Sequence, residues 1–229
     1  MSTDIRDDLS GLRADLDEMA RTRKQGPYER WGKRVLDIAV ALPIAALAAP
    51  VLGIAAVAVK VESPGPILFR QVRVGKGARE FTIYKMRTMI HGNTAGGQVL
   101  AGNPDVTRVG AVLRRLKLDE LPQVVNVLAG QMSLVGPRPC LASTAAEADE
   151  NGRRRFLVTP GLTGLAQVNG NVHLSWPQRW ELDRRYVDSV NLRSDLTILG
   201  RTVSIVLGGE KLPVEKNLRH DGLTRKEAG

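Results

Sequence analysis

The chain of 229 residues carries 33 Lys and Arg against 24 Asp and Glu, a formal net charge of +9. Such a balance points to an anionic partner: nucleic acid, phosphate or an anionic membrane face. A lone cysteine, Cys140, rules out an intrachain disulfide framework, three histidines argue against a His-rich metal centre, and 4% aromatic residues argue against a base-stacking nucleic-acid platform.

In chain order, residues 1–30 come first as an acidic extension. Ile5, Leu9, Leu12, Leu16 and Met19 are spaced 4, 3, 4, 3, an a/d seam of two heptads. Two readings stand: a short amphipathic helix lying on its own domain, or a pairing helix for a homodimer. Gln25-Gly26-Pro27 closes the extension.

Residues 35–59 read VLDIAVALPIAALAAPVLGIAAVAV, with Asp37 as the one charge. A helix of that length reaches roughly 37 Å, enough for a bilayer core of about 30 Å. It starts too late and runs too long for a signal peptide. Both flanks are basic: residues 21–34 and residues 60–87 each have a balance of +5. A straight span would put one basic flank on the wrong side of the membrane. Proline removes an amide donor and clashes with the preceding turn. A break at Ala49-Pro50 leaves arms of about 15 and 12 residues, too short to span singly but sufficient for a re-entrant hairpin over residues 31–61.

The next segment, residues 62–209, reads as one domain, the catalytic one if the resemblance given below holds. Ser63-Pro64-Gly65-Pro66 is a turn, and Ile67–Phe69 and Phe81–Tyr84 predict two strands of a small hairpin. Residues 91–107 predict a loop. Val109–Leu116 and Leu121–Leu128 predict helices, and Gly136-Pro137-Arg138-Pro139 a rigid extended turn. Thr159–Gly170 reads as a Gly-rich loop. Trp180–Val190 and Leu196–Leu207 predict helices, and residues 210–229 a charged tail.

Two features carry chemistry. Asp119 and Glu120 are adjacent carboxylates at a predicted helix start. They suit a metal ligand, nucleophile or base, or simple compensation of the helix dipole. Arg138, pinned between prolines, suits bidentate phosphate binding or a structural ion pair.

The motifs occur in a telling order. Lys33-Arg34-Val35-Leu36-Asp37 precedes the apolar segment, and Ser63-Pro64-Gly65-Pro66-Ile67-Leu68-Phe69-Arg70-Gln71 follows it. Then come Phe81–Met89, Leu118-Asp119-Glu120-Leu121-Pro122-Gln123 and Met132–Pro139. Pro160–Gly164, Ala166–Gly170, and Glu181-Leu182-Asp183 with Tyr186-Val187 complete the series. Over residues 31–207 the chain resembles the bacterial sugar transferase family, the small monotopic phosphoglycosyl transferases. The resemblance implies an α+β fold, mostly helical, with a re-entrant membrane helix, interfacial amphipathic helices and a small β-hairpin. It implies transfer of a sugar-1-phosphate from a nucleoside diphosphate sugar, usually a UDP-sugar, to polyprenyl phosphate. The place would be the cytoplasmic face of the bacterial inner membrane, and the reaction the first membrane step of a glycoconjugate pathway. Asp119 would be the nucleophile, Mg2+ the cofactor with Asp119 and Glu120 as its ligands, and Lys85, Arg87 and Arg138 the phosphate-binding residues. The lipid bilayer is an expected partner and nucleic acid is not.

The chain departs from that pattern in three places. Ala49 precedes Pro50 where relatives have Ser, Asn171 follows Gly170 where they often have Arg, and Leu165 replaces a common Trp. The competing readings are a membrane-tethered basic adaptor without catalysis, and a glycosyl transferase that moves sugar without phosphate.

Overall fold

The computed structural model describes the backbone of residues 3–90 and 103–208, with side chains from Leu9 onward. The predicted tail, most of the 91–107 loop and the Ile5 side chain lie outside those residues. Helix α1 (Thr3–Thr22) lays its heptad seam on its own domain: Leu9, Leu12 and Leu16 are buried in the main core. Arg13 adds hydrogen bonds of 3.3 and 3.2 Å to the Ala78 carbonyl, and Arg153 pairs with Asp15. Of the two readings of the seam, the described residues follow the first, a helix lying on its own domain. Each buried leucine contributes roughly 1.5–3 kcal/mol to that packing.

A π-helical turn (Tyr28–Gly32) leads into α2 (Lys33–Glu62), which runs unbroken through Pro43 and Pro50. The expected interruption at Ala49-Pro50 is absent: the backbone stays helical there. Each proline removes one amide, from the carbonyls of Ala39 and Ala46, while the turns on either side continue. Together with the π-helical turn this is one helix, Tyr28–Glu62, long and apolar enough to cross a membrane. Ala41, Ala48 and Ala55, spaced by seven, and Val59 form its buried stripe, while Leu42, Leu47, Ile54, Val57 and Val61 are exposed. Small residues on the inner stripe let the helix lie close against the domain.

Both ends of α2 are tied to that same domain. At the start, Lys33 Nζ lies 2.7 Å from Asp195 Oδ2, and Arg34 donates to the carbonyls of Val127 and Leu128 at 2.6 and 2.7 Å. Asp37 Oδ1 accepts from Ser133 Oγ and from the Leu134 amide, each at 2.9 Å. At the far end, Glu62 accepts from the amides of Arg108 and Val109 at 2.7 and 3.0 Å.

Strands β1 (Leu68–Val74) and β2 (Glu80–Met86) form the predicted antiparallel hairpin, longer than expected, with Phe69 opposite Lys85. Gly77, at φ 65°, supplies the left-handed residue the turn needs. Thr107 caps α3 (Arg108–Arg115). Lys117, left-handed at φ 56°, then turns the chain into a 3-10 turn, Leu118–Gln123, ahead of the short α4 (Val124–Leu128). The helix expected from Leu121 is therefore split.

Past α4, β3 (Ser133–Val135) leads to α5 (Ala142–Ala146) and α6 (Glu150–Arg154), then β4 (Gly161–Thr163) and α7 (Leu165–Val168). The stretch read as a Gly-rich loop thus holds a strand and a helix. β4 pairs in parallel with β3 and closes the core beside the carboxylates. Three-residue strands carry no readable alternation. Their contact depends on glycine, because a Cβ at Gly161 would stand 2.1 Å from the Gly136 nitrogen. Helix α8 (Trp176–Asp188), capped by a Ser175–Gln178 capping box, and α9 (Leu192–Gly208) complete the mostly helical α+β fold.

Candidate active site

The 3-10 turn presents Asp119 and Glu120, both half-buried, to a cleft of about 1560 Å³. β2 brings Lys85 to this point and the Gly136–Pro139 turn brings Arg138. Lys85 Nζ lies 2.8 Å from Glu120 Oε1. Arg138 straddles the same carboxylate, with Nη1 3.1 Å from Oε2 and Nη2 against Oε1. The two acids therefore have different environments. Glu120 is held by two cations. Asp119 closes no ion pair among the described residues, although Lys85 and Arg114 are near enough to act on it through space.

Their electrostatics follow. Burial raises the Glu120 carboxyl, but the charges and hydrogen bonds of Arg138 and Lys85 outweigh it and hold the group well below the usual carboxylate range. Burial, then the negative charge of Glu120, pushes Asp119 up. Glu120 raises Arg138, while burial lowers Lys85. Glu120 is thus firmly ionised, and Asp119 is the desolvated, unpaired carboxylate of the pair.

A buried brace stands behind Arg138. Arg155 Nη2 donates to the Arg138 carbonyl at 2.5 Å and lies 3.2 Å from Asp183 Oδ2 on α8. Burial pushes Asp183 up to about 6 despite Arg155 and Arg179 nearby. This ties α8 to the turn that aims Arg138.

Arg87 is placed differently from its expected role. It is buried, and its guanidinium donates to the carbonyls at the C-terminus of α2: Ser63 at 2.7 Å, Val59 at 3.2 Å, and Pro64. Ser63 and Pro64 follow the last residue of α2, and the Val59 carbonyl also accepts the Ser63 amide at 3.3 Å. Arg87 borders the cleft, but its terminal nitrogens are engaged as a helix cap, which corrects the reading of it as a phosphate ligand. Ala49 and Pro50 lie within α2, away from the carboxylates, and neither lines the cleft.

Nine cationic side chains and three carboxylates line the cleft. Arg73, Arg114, Arg155 and Arg179 are among the nine, and sequence reasoning assigned none of them a role. Isolated arginines in a basic chain carry no spacing signal, and of these four Arg155 alone closes an ion pair among the described residues, with Asp183. Val40 and Ile44 of α2 and Leu199, Val203 and Val206 of α9 give one side of the cleft an apolar wall. Asn171, left-handed at φ 44°, borders it as well.

A strongly basic cleft that holds a carboxylate pair and is lined in part by apolar residues of two long helices suits a protein that handles phosphorylated ligands beside an apolar phase. The comparisons name the family. The bacterial sugar transferase family model matches residues 28–209, and the chain belongs to this family. It is 45% identical over 208 residues to the UDP-glucose:undecaprenyl-phosphate glucose-1-phosphate transferase of Caulobacter vibrioides, covering 83% of this chain and 76% of that protein. It is 39% identical over 178 residues to the sugar transferase EpsL of Bacillus subtilis, covering 78% and 88%. It is 40% identical over 191 residues to the UDP-N-acetylgalactosamine-undecaprenyl-phosphate N-acetylgalactosaminephosphotransferase of Aeromonas hydrophila, covering 80% and 45%.

Proposed function

We propose that this protein transfers a sugar-1-phosphate from a UDP-sugar to polyprenyl phosphate, through a covalent intermediate on Asp119. The observation that carries the reading is the asymmetry of the acid pair. Lys85 and Arg138 bind Glu120 and leave Asp119 unpaired at the cleft. An ionised carboxylate without a partner is a competent nucleophile once the charge on the attacked phosphorus is neutralised. An Asp119 oxygen attacks the sugar-bearing phosphorus, the bond to the bridging oxygen breaks, and UMP leaves. The polyprenyl phosphate oxygen then attacks the same phosphorus and frees Asp119. Family membership and the names of the relatives support this reaction class.

The residues fit a magnesium ion shared with substrate. A carboxylate offers about four lone-pair sites, and Glu120 uses three of them on Lys85 and Arg138. One site on Oε2 and the Asp119 carboxylate remain. Two carboxylate ligands suffice for Mg2+, which draws its other ligands from water and phosphate. When bound it would supply charge neutralisation at the diphosphate.

The same reading places the protein as a monotopic membrane enzyme at the cytoplasmic face of the bacterial inner membrane, held there by the unbroken α2 and not by a re-entrant hairpin. The support is the docking of both ends of α2 on one domain, which a helix with its ends on opposite faces does not allow. The apolar flank of α2 enters the bilayer, and the cleft sits where a lipid phosphate can reach it. There the enzyme would catalyse the first membrane step of an exopolysaccharide or glycoconjugate pathway.

The nucleotide released from a panel of UDP-sugars, with polyprenyl phosphate and Mg2+ present, tests the proposal. UMP is expected. Release of UDP would mean transfer of sugar alone, and release of neither would return the protein to an adaptor role.

A further inference from the structure

We propose that Arg73 is a phosphate-binding residue of this cleft, held by Gln71 so that one edge of its guanidinium stays open to an anionic ligand. The inference rests on the transferase reading and adds a residue and its device to it. Arg73 lies on β1, half-buried, and lines the cleft together with Gln71.

The case comes from what the neighbouring arginines bind. Arg138 straddles Glu120, Arg155 pairs with Asp183, and Arg87 caps three carbonyls. Each has found an anion or a set of carbonyl dipoles in the protein. Arg73 has only a neutral amide: Nε and Nη2 donate to Gln71 Oε1 at 3.1 and 2.6 Å. Among the described residues it closes no ion pair. A partly desolvated cation without an anion is costly. Burial, and then the like charge of Arg138, lowers the pKa of Arg73, against a smaller opposing effect of Glu120 through space.

Geometry decides which donors are left. Guanidinium has five N–H groups in a planar fork. Gln71 takes the side edge formed by Nε and Nη2. The end edge, formed by one Nη1 hydrogen and the second Nη2 hydrogen, is left for a bidentate pair of phosphate oxygens. Gln71 fixes the plane without neutralising the charge, which a glutamate in its place would do. The ligand is a phosphate: either the diphosphate of the nucleotide donor or the monoester of the lipid acceptor.

The test uses the full chain in nanodiscs, as wild type, Arg73→Lys and Gln71→Glu. Two probes are titrated, UDP for the donor and a short-chain polyprenyl phosphate for the acceptor. Both variants are expected to weaken one probe by about tenfold or more. Loss for UDP assigns Arg73 to the donor diphosphate, and loss for polyprenyl phosphate assigns it to the acceptor. Gln71→Glu keeps the arginine oriented and adds no cavity, so its effect reads charge and not folding. Unchanged affinity in both variants overturns the proposal. So does a loss confined to Arg73→Lys, which is the pattern of a structural arginine. A wild-type chain that binds neither probe brings down the transferase reading itself, and this inference with it.

Discussion

Lys85 and Glu120, 35 positions apart in sequence, meet at 2.8 Å in the cleft. β2 and the 3-10 turn bring them together, and Arg138 completes the grip from a third segment. The consequence falls on Asp119. With its neighbour claimed, it is the carboxylate free to react.

Asp119→Asn should therefore lower turnover by roughly a thousandfold or more, since the amide is no nucleophile. Membrane association and thermal stability should stay near wild type, because no other residue's side chain bonds to Asp119 in the described structure. Quenching with radiolabelled donor should leave one phospho-sugar per wild-type chain and none on the variant. Retained activity in a variant checked for deamidation would remove the covalent step.

Arg138→Lys should cost about tenfold or more in kcat/KM, equivalent to about 1.4 kcal/mol. An ammonium is a point charge and cannot straddle both oxygens of Glu120. Steady-state kinetics beside a melting curve separate a site effect from a folding effect. Near-native rates would assign Arg138 to structure.

The acid limb of the pH–rate profile should report Asp119, whose protonated form cannot attack. Burial and the Glu120 charge both raise its pKa. In Glu120→Gln the second cause disappears, and Lys85 and Arg138 are released to favour the Asp119 anion. The acid limb of the residual activity should thus move to lower pH, although the rate itself falls. A limb that stays in place or moves upward would show that another group controls it.

Leu12→Ala should destabilise the protein by about 2–5 kcal/mol, the usual cost of truncating a buried leucine. The oligomeric state should not change, since Leu12 is packed inside its own chain. Chemical denaturation and light scattering on the same samples check both halves. Dissociation of an oligomer by this single change would restore the pairing role of α1.

Topology is open to direct labelling. In a background with the buried Cys140 replaced by Ala, single cysteines at Lys24 and Lys76, both exposed, flank the long helix. An impermeant thiol reagent added outside intact cells should reach neither. Labelling of one site and protection of the other would mean that α2 spans the bilayer.

The local features were legible because each is encoded over a few neighbouring residues. The 25-residue apolar run was longer and more uniformly apolar than a buried helix of a small soluble domain usually is, and two short strand-forming runs around a glycine turn marked the β1–β2 hairpin. The carboxylate pair and the Pro-Arg-Pro turn stood out by composition. Tertiary packing decided the rest. The leucine seam of α1 suits either a partner chain or its own domain, and only the position of the core selects between them. Prolines in α2 signalled a break, but the helical turns on either side carry the chain through. The bond partners of an arginine lie at no fixed sequence distance, so packing made Arg87 a helix cap and Arg138 a clamp on Glu120. Arg73 was left with a neutral amide. Sequence by itself determined which groups were available and where the long apolar segment lay. The tertiary structure decided which charges cancel one another and which remain open, because ion pairing depends on separations of a few ångströms between residues far apart along the chain.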